Sequence, residues 1–244
     1  MTELYIILGT PGAGRRDLVA QLLDGLPGGA RVYVSRAEKP DPADATLSAL
    51  DEVEVLPWFT DGETLDIPDA QDAPDRVFFI TEGARNPVDQ LEILSALAPR
   101  LAWQVIRVIT AVDCQLAHAK PELADWFKAC IHFSDAVLLN RREGVPPAFD
   151  RDFLEPYRKD CAPALFEKTR KGRIPNPDLV LLPEARRLTQ IFDEDRDPVD
   201  DMEFDEDNLP DAPFDLVNKT DPYFERDDRG QRRIRIPDIK GFLA

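Results

Sequence analysis

Basic residues are in short supply. The chain carries 30 Lys and Arg against 47 Asp and Glu, a formal net charge of −17. That deficit argues against a nucleic-acid partner, because a phosphate backbone needs cationic side chains to neutralise it. It equally disfavours adhesion to an anionic membrane surface. Long apolar runs are missing as well. The first, Leu4–Leu8, is far shorter than the roughly 20 residues of a spanning helix. Without a basic leader or a small-residue cleavage site, it does not read as a signal peptide. Cysteine is scarce: Cys114, Cys130 and Cys161 are scattered and odd in number, which fits small buried side chains in a reducing compartment. The expected location is the cytoplasm. The two histidines, His118 and His132, stand alone, so a core or surface role suits them better than metal ligation.

Hydrophobic residues make up 43% of the chain, enough for a sizeable core. Residues 4–8 read as a buried strand, followed by a Gly-rich turn over residues 9–14 and a helix with Leu18, Val19, Leu22 and Leu23 at helical spacing. Further strands are expected at 31–35, 76–81, 104–112, 136–140 and 179–182. Helices are expected at 87–101, 121–133 and around 150–171. The apolar insert 53–59 reads as an edge strand or a docked loop. Strands alternating with helices predict an α/β fold, a mostly parallel sheet with helices on both faces. Its ligand rim lies at the carboxyl ends of the strands. The expected division is a domain over 1–192 and an acidic tail over 193–244. Residues 193–228 are dense in acid and thin in aliphatics, and are expected to remain unpacked. The segment from Arg229 to Leu243 offers Ile234, Ile236, Ile239, Phe242 and Leu243 as anchors, and is expected to dock, for instance as a strand on a sheet edge.

The turn Gly9-Thr-Pro-Gly12-Ala13-Gly14-Arg15-Arg16 has the frame of a P-loop, G-x-x-x-x-G-K-[ST], between strand and helix. Glycines let backbone N–H groups point inward, and the helix N-terminus adds partial positive charge. Gly9, Gly12, Ala13, Gly14, Arg15 and Arg16 are therefore candidate phosphate ligands. Arg15 keeps the charge of the usual Lys but is planar and longer. Arg16 replaces the hydroxyl that would hold Mg²⁺, and a guanidinium cannot ligate a metal. The bland alternative is a Gly-rich turn that binds nothing.

Three later segments complete a pattern. Residues 79–87 read Phe-Ile-Thr-Glu-Gly-Ala-Arg-Asn-Pro, residues 108–113 read Val-Ile-Thr-Ala-Val-Asp, and residues 140–143 read Asn-Arg-Arg-Glu. In this order and spacing, over about residues 3–190, the chain resembles the CobW-like (G3E) P-loop GTPases, with its nucleotide motifs degenerate. The resemblance implies guanine-nucleotide binding, GTP or GDP. Thr81, Gly83 and Pro87 match the family's E-T-T/S-G-x-x-D-P segment, with Ile80 in place of the acid. Glu82, two positions on, is then a candidate catalytic acid, or else simply an acid near a helix start. Asp113 matches the family's strand-end Asp, a second catalytic candidate, or else a cap for the next loop. Asn140, Arg141 and Glu143 stand for the base-reading N-K-x-D, with Arg141 able to stack on a base. The family's Gly-Cys-x-Cys-Cys metal motif is missing, since residues 37–75 contain no cysteine, and no metal ligands are assigned.

Three readings stand. The first is a guanine-nucleotide-binding protein with slow or lost hydrolysis, because two catalytic parts are altered. The second is a pseudo-GTPase scaffold acting through protein contacts, its acidic tail engaging a basic partner. The third is an active enzyme with rearranged groups, Asp17 or Asp113 holding Mg²⁺.

Overall fold

A computed structural model describes residues 1–61, 64–193 and 220–243. The acidic stretch 194–219, for which an unpacked state is expected, lies outside the described residues. Eight strands form one sheet in the order β4-β3-β2-β5-β1-β6-β7-β8: β1 (Thr2–Gly9), β2 (Ala30–Ser35), β3 (Val53–Thr60), β4 (Leu65–Asp66), β5 (Arg76–Ile80), β6 (Trp103–Asp113), β7 (Ala136–Asn140) and β8 (Leu165–Lys168). Every pairing is parallel except β3 with the two-residue β4. The mostly parallel α/β architecture is therefore as expected.

Helices cover both faces because the central strands are apolar on both. In β1, Leu4, Ile6 and Leu8 point to one core, with Val88, Leu91 and Leu94 of α3 (Pro87–Leu97) and Trp126, Phe127 and Cys130 of α5 (Ala124–His132). Tyr5 and Ile7, one residue out of phase, point to the other core. There they meet Leu18, Val19, Leu22 and Leu23 of α1 (Arg15–Leu23) and Leu47 of α2 (Ala43–Ser48). Two further helices are α4 (Cys114–Ala119) and α6 (Phe149–Lys159). Among the described residues, no helix is long and apolar enough to cross a membrane.

Two expectations are corrected, and a third narrows to one of its alternatives. The insert 53–59 is a strand rather than a docked loop. As β3 it pairs with β2 from Val53 to Trp58, β4 borders it only at Phe59 and Thr60, so most of it runs at the sheet's edge, and Trp58 is buried with its Nε1 donating to Ile80 O at 2.9 Å. The helix expected over 150–171 stops at Lys159. Cys161 takes a left-handed φ of 51°, Pro163 keeps Ala162 out of helical geometry, and Leu165–Lys168 joins β7 as an edge strand. The expected strand 179–182 is instead the end of α7 (Pro177–Leu181). Its terminal carbonyls at Leu179 and Val180 accept from the buried guanidinium of Arg107, at 3.2 and 3.0 Å, which caps the helix.

The C-terminal segment packs on the α3/α5 face rather than on a sheet edge. Ile239 and Tyr223 are buried there, and Arg232 pairs with Asp89 at 2.7 Å and Glu92 at 2.6 Å. Contact begins before Arg229, since Asp221 Oδ2 lies 2.8 Å from His132 Nε2. Burial pushes the Asp221 carboxyl up, but hydrogen bonds from His132, Thr189 and the Tyr223 N–H outweigh it and hold the pKa low. Ile234, an expected anchor, remains exposed.

Candidate phosphate-binding turn

With β2, β5, β1, β6 and β7 parallel and adjacent, the segments after their carboxyl ends meet at one rim. The Gly-rich turn follows β1 at the centre. Gly14 is the N-cap of α1, in a left-handed conformation with φ 78° and with no side-chain cap. Its lack of a side chain leaves the first-turn N–H groups of α1 uncapped. It also leaves room for Asn140, since a Cβ at Gly14 would lie 2.7 Å from Asn140 Nδ2. Within the turn, the fully buried Thr10 hydroxyl has no hydrogen-bond partner among the described residues.

On the β2/β5 side the turn is closed by charge. Arg15 is buried. It donates to the Thr81 carbonyl and, through Nη2 at 2.5 Å, to Glu38 Oε1. The same oxygen accepts the Gly83 N–H at 2.7 Å. Arg16, also buried, binds both oxygens of Asp44 at 2.6 and 2.7 Å and approaches Glu38 Oε2 at 3.4 Å. Gly83 is pressed against the turn: a Cβ there would meet Pro11 N at 2.6 Å, Gly9 O at 2.7 Å and Arg15 Nη2 at 2.8 Å.

The β6/β7 side is open. Asn140 Nδ2 donates to Ala13 O at 2.8 Å, and Asn140 Oδ1 accepts from Thr169 Oγ1 at 2.8 Å. Arg141, exposed and at φ 52°, donates from Nε to Gly12 O at 3.1 Å. Asp113 caps α4, accepting the Leu116 N–H at 2.9 Å. Burial raises its pKa, opposed by the Leu116 N–H and by Arg141. Burial and then Asp41 likewise raise that of Asp17, with Arg141 opposing. Glu143 is exposed, and its carbonyl, not its carboxylate, accepts from Gln115 Nε2 at 2.6 Å.

The structure thus gathers Gly9, Gly12, Ala13, Gly14, Arg15, Arg16, Asn140 and Arg141 around one turn, with Asp113 beside it. Glu82 is buried and held elsewhere. Its carboxylate lies 3.1 Å from Arg85 Nε, and its backbone N–H and C=O bond the side chain of Gln90 at 2.8 and 3.0 Å. Sequence reasoning missed Glu38, Asp44 and Thr169. Glu38 and Asp44 sit in a polar, acidic stretch without a motif, and only the adjacency of β2 to β5 gives Glu38 its role. Among the described residues, no group of three or more His, Cys, Asp or Glu is placed to hold a metal ion.

No family model matches the sequence, and no curated protein matches it. The solved structures to which the chain shows similarity include these two. One is the signal recognition particle receptor FtsY from Elizabethkingia anophelis, at 15% identity and TM-score 0.47, covering 75% of this chain and 65% of that one. The other is a Zn(II)-bound triple mutant of the GTPase YjiA, at 14% identity and TM-score 0.42, covering 71% of this chain and 59% of that one. The chain therefore spans less than two thirds of the length of either.

Proposed function

We propose that this chain binds the phosphates of a guanine nucleotide, GTP or GDP, at the Gly-rich turn, and hydrolyses it slowly or not at all, in the manner of a degenerate CobW-like GTPase. The observation that carries the reading is the uncapped N-terminus of α1 behind a Gly-rich turn, braced by Asn140 on the Ala13 carbonyl. Such a terminus presents oriented N–H groups and partial positive charge to an anion. The unpartnered Thr10 hydroxyl supplies a further polar group within the same turn. Arg141, exposed and bonded to Gly12 O, would stack on a base, and the exposed Glu143 would accept from guanine. Slow or lost hydrolysis follows from the groups already engaged: Glu82 with Arg85, Asp113 as a helix cap, and Arg16 where a metal-binding hydroxyl belongs.

A scaffold without nucleotide is the second reading. It is favoured by the Arg15–Glu38 and Arg16–Asp44 pairs, which satisfy the turn's cations internally. In it, the acidic stretch after residue 193 engages a basic protein. With either reading we propose a cytoplasmic location, which the scattered, odd-numbered cysteines support.

Titration with labelled GTP, GDP and ATP, with and without Mg²⁺, separates them. Saturable binding of a guanine nucleotide is expected, with Glu143→Ala weakening GTP much more than ATP, because a carboxylate pairs with guanine but faces only acceptors on adenine. Failure of all three nucleotides at about millimolar concentration, weaker than about −4 kcal/mol of binding free energy, overturns the reading in favour of the scaffold.

A further inference from the structure

We propose that Glu38 sets the length of the polyphosphate that the turn accepts. Its carboxylate stands in for a terminal phosphate, so that a diphosphate binds beside it while a triphosphate must evict it. This inference rests on the nucleotide-binding reading above.

The donors around Glu38 are those an oxyanion seeks. Two buried guanidinium groups and one backbone N–H converge on a single carboxylate, from Arg15 at 2.5 Å, Gly83 at 2.7 Å and Arg16 at 3.4 Å. Charge-assisted bonds of this kind are the strong ones. The Glu38 side chain is itself only 12% exposed. In the P-loop frame, backbone N–H groups of the turn cradle the inner phosphates, and the cation after the last glycine reaches the outer ones. Here that cation is Arg15, and it is already bound to Glu38. The inner donors remain available, since α1 carries no side-chain cap. The outer half of the site therefore holds an anion and the inner half does not.

Eviction is geometrically simple. Glu38 lies three residues after the end of β1's neighbour-but-one, β2, in a turn where Arg36, Ala37, Lys39 and Pro40 are exposed. Moving that turn breaks the bonds from Glu38 N–H to Ser35 O and from Ala37 N–H to Ser35 Oγ, both at 3.2 Å, with Arg36 N–H on Trp58 O at 2.9 Å anchoring its start.

Calorimetric titration of the full chain with GDP, GTP, inorganic pyrophosphate and inorganic triphosphate tests this. The wild-type protein is expected to bind each diphosphate about tenfold more tightly than the matching triphosphate, the scale of one displaced charge-assisted contact. Glu38→Gln, with Glu38→Ala as a second variant, is expected to raise triphosphate affinity by about the same factor and leave diphosphate affinity nearly unchanged. Asp44→Asn removes an equal charge from Arg16 but not from Gly83, and is expected to leave the ratio as it is in the wild type. Wild-type affinity for triphosphate that equals or exceeds that for diphosphate overturns the inference. So does a ratio unchanged in Glu38→Gln. If no polyphosphate binds any variant, the nucleotide-binding reading falls and this inference with it; binding with an unaltered ratio removes this inference alone.

Discussion

The two flanks of the Gly-rich turn are built from the same materials and differ in what they leave free. On the β2/β5 flank, Arg15, Arg16, Glu38 and Asp44 neutralise one another within the protein. On the β6/β7 flank, among the described residues, the side chains of Asn140 and Arg141 bond to carbonyls of the turn and to Thr169, and the Glu143 side chain faces solvent. The first flank is a closed ionic cluster that stabilises the turn's position. The second holds the turn's backbone and leaves side-chain surface exposed. On the proposed function the first side is structural and the second recognises the ligand, so substitutions on the two sides should separate stability from binding.

The largest effect is expected at the contact where the closed flank touches the turn. Gly83→Ala places a Cβ against backbone atoms of Pro11 and Gly9, which cannot move as a flexible side chain does. We expect a loss of roughly 3–4 kcal/mol of stability by chemical denaturation, the upper range for overpacking. A variant as stable as wild type would show that the approach of β5 to the turn is loose.

Next comes the ionic cluster. Arg15→Leu removes the shortest partner of Glu38 and leaves a mostly buried carboxylate with the Gly83 N–H and the longer contact to Arg16. A loss of about 2–3 kcal/mol is expected, because a buried charge deprived of its partner retains its desolvation cost. Restoring most of that stability by the double substitution Arg15→Leu with Glu38→Leu would identify the unpaired charge as the cause. No recovery would point to lost packing instead.

A smaller effect is expected on the open flank. Asn140→Ala deletes the bonds to Ala13 O and from Thr169 Oγ1. The expected stability loss is about 1–2 kcal/mol, accompanied by weaker nucleotide binding. Unchanged binding would show that the open flank does not shape the ligand site.

Much of this comparison was legible in the sequence. The central strands read correctly because strands buried on both faces are continuous apolar runs, as in Leu4–Leu8 and Val77–Ile80. The turn read correctly because its glycines sit between such a strand and a helical pattern. The four-residue run Leu179–Leu182 did not, because a short apolar run fits a strand or a helix equally well, and Arg107 on β6 decides between them by binding the carbonyls of α7. Glu38 was hidden for a different reason. It is one acid among many in a polar stretch, and nothing local reveals that β2 will lie beside β5, bringing Glu38 to Arg15 and Gly83.

The central claim is that the Gly-rich turn holds the phosphates. Chemical-shift mapping of backbone amides in ¹⁵N-labelled protein during titration with GDP tests it most directly. The account predicts saturable shifts concentrated at Gly12, Gly14, Arg15 and Arg16, with smaller ones at Arg141 and Glu143. Saturable shifts that leave the turn untouched and gather elsewhere would contradict it. The cavity of about 420 Å³ between Asn86, Gln90, Ile236 and Ile239 is one place where such shifts would reveal a different site.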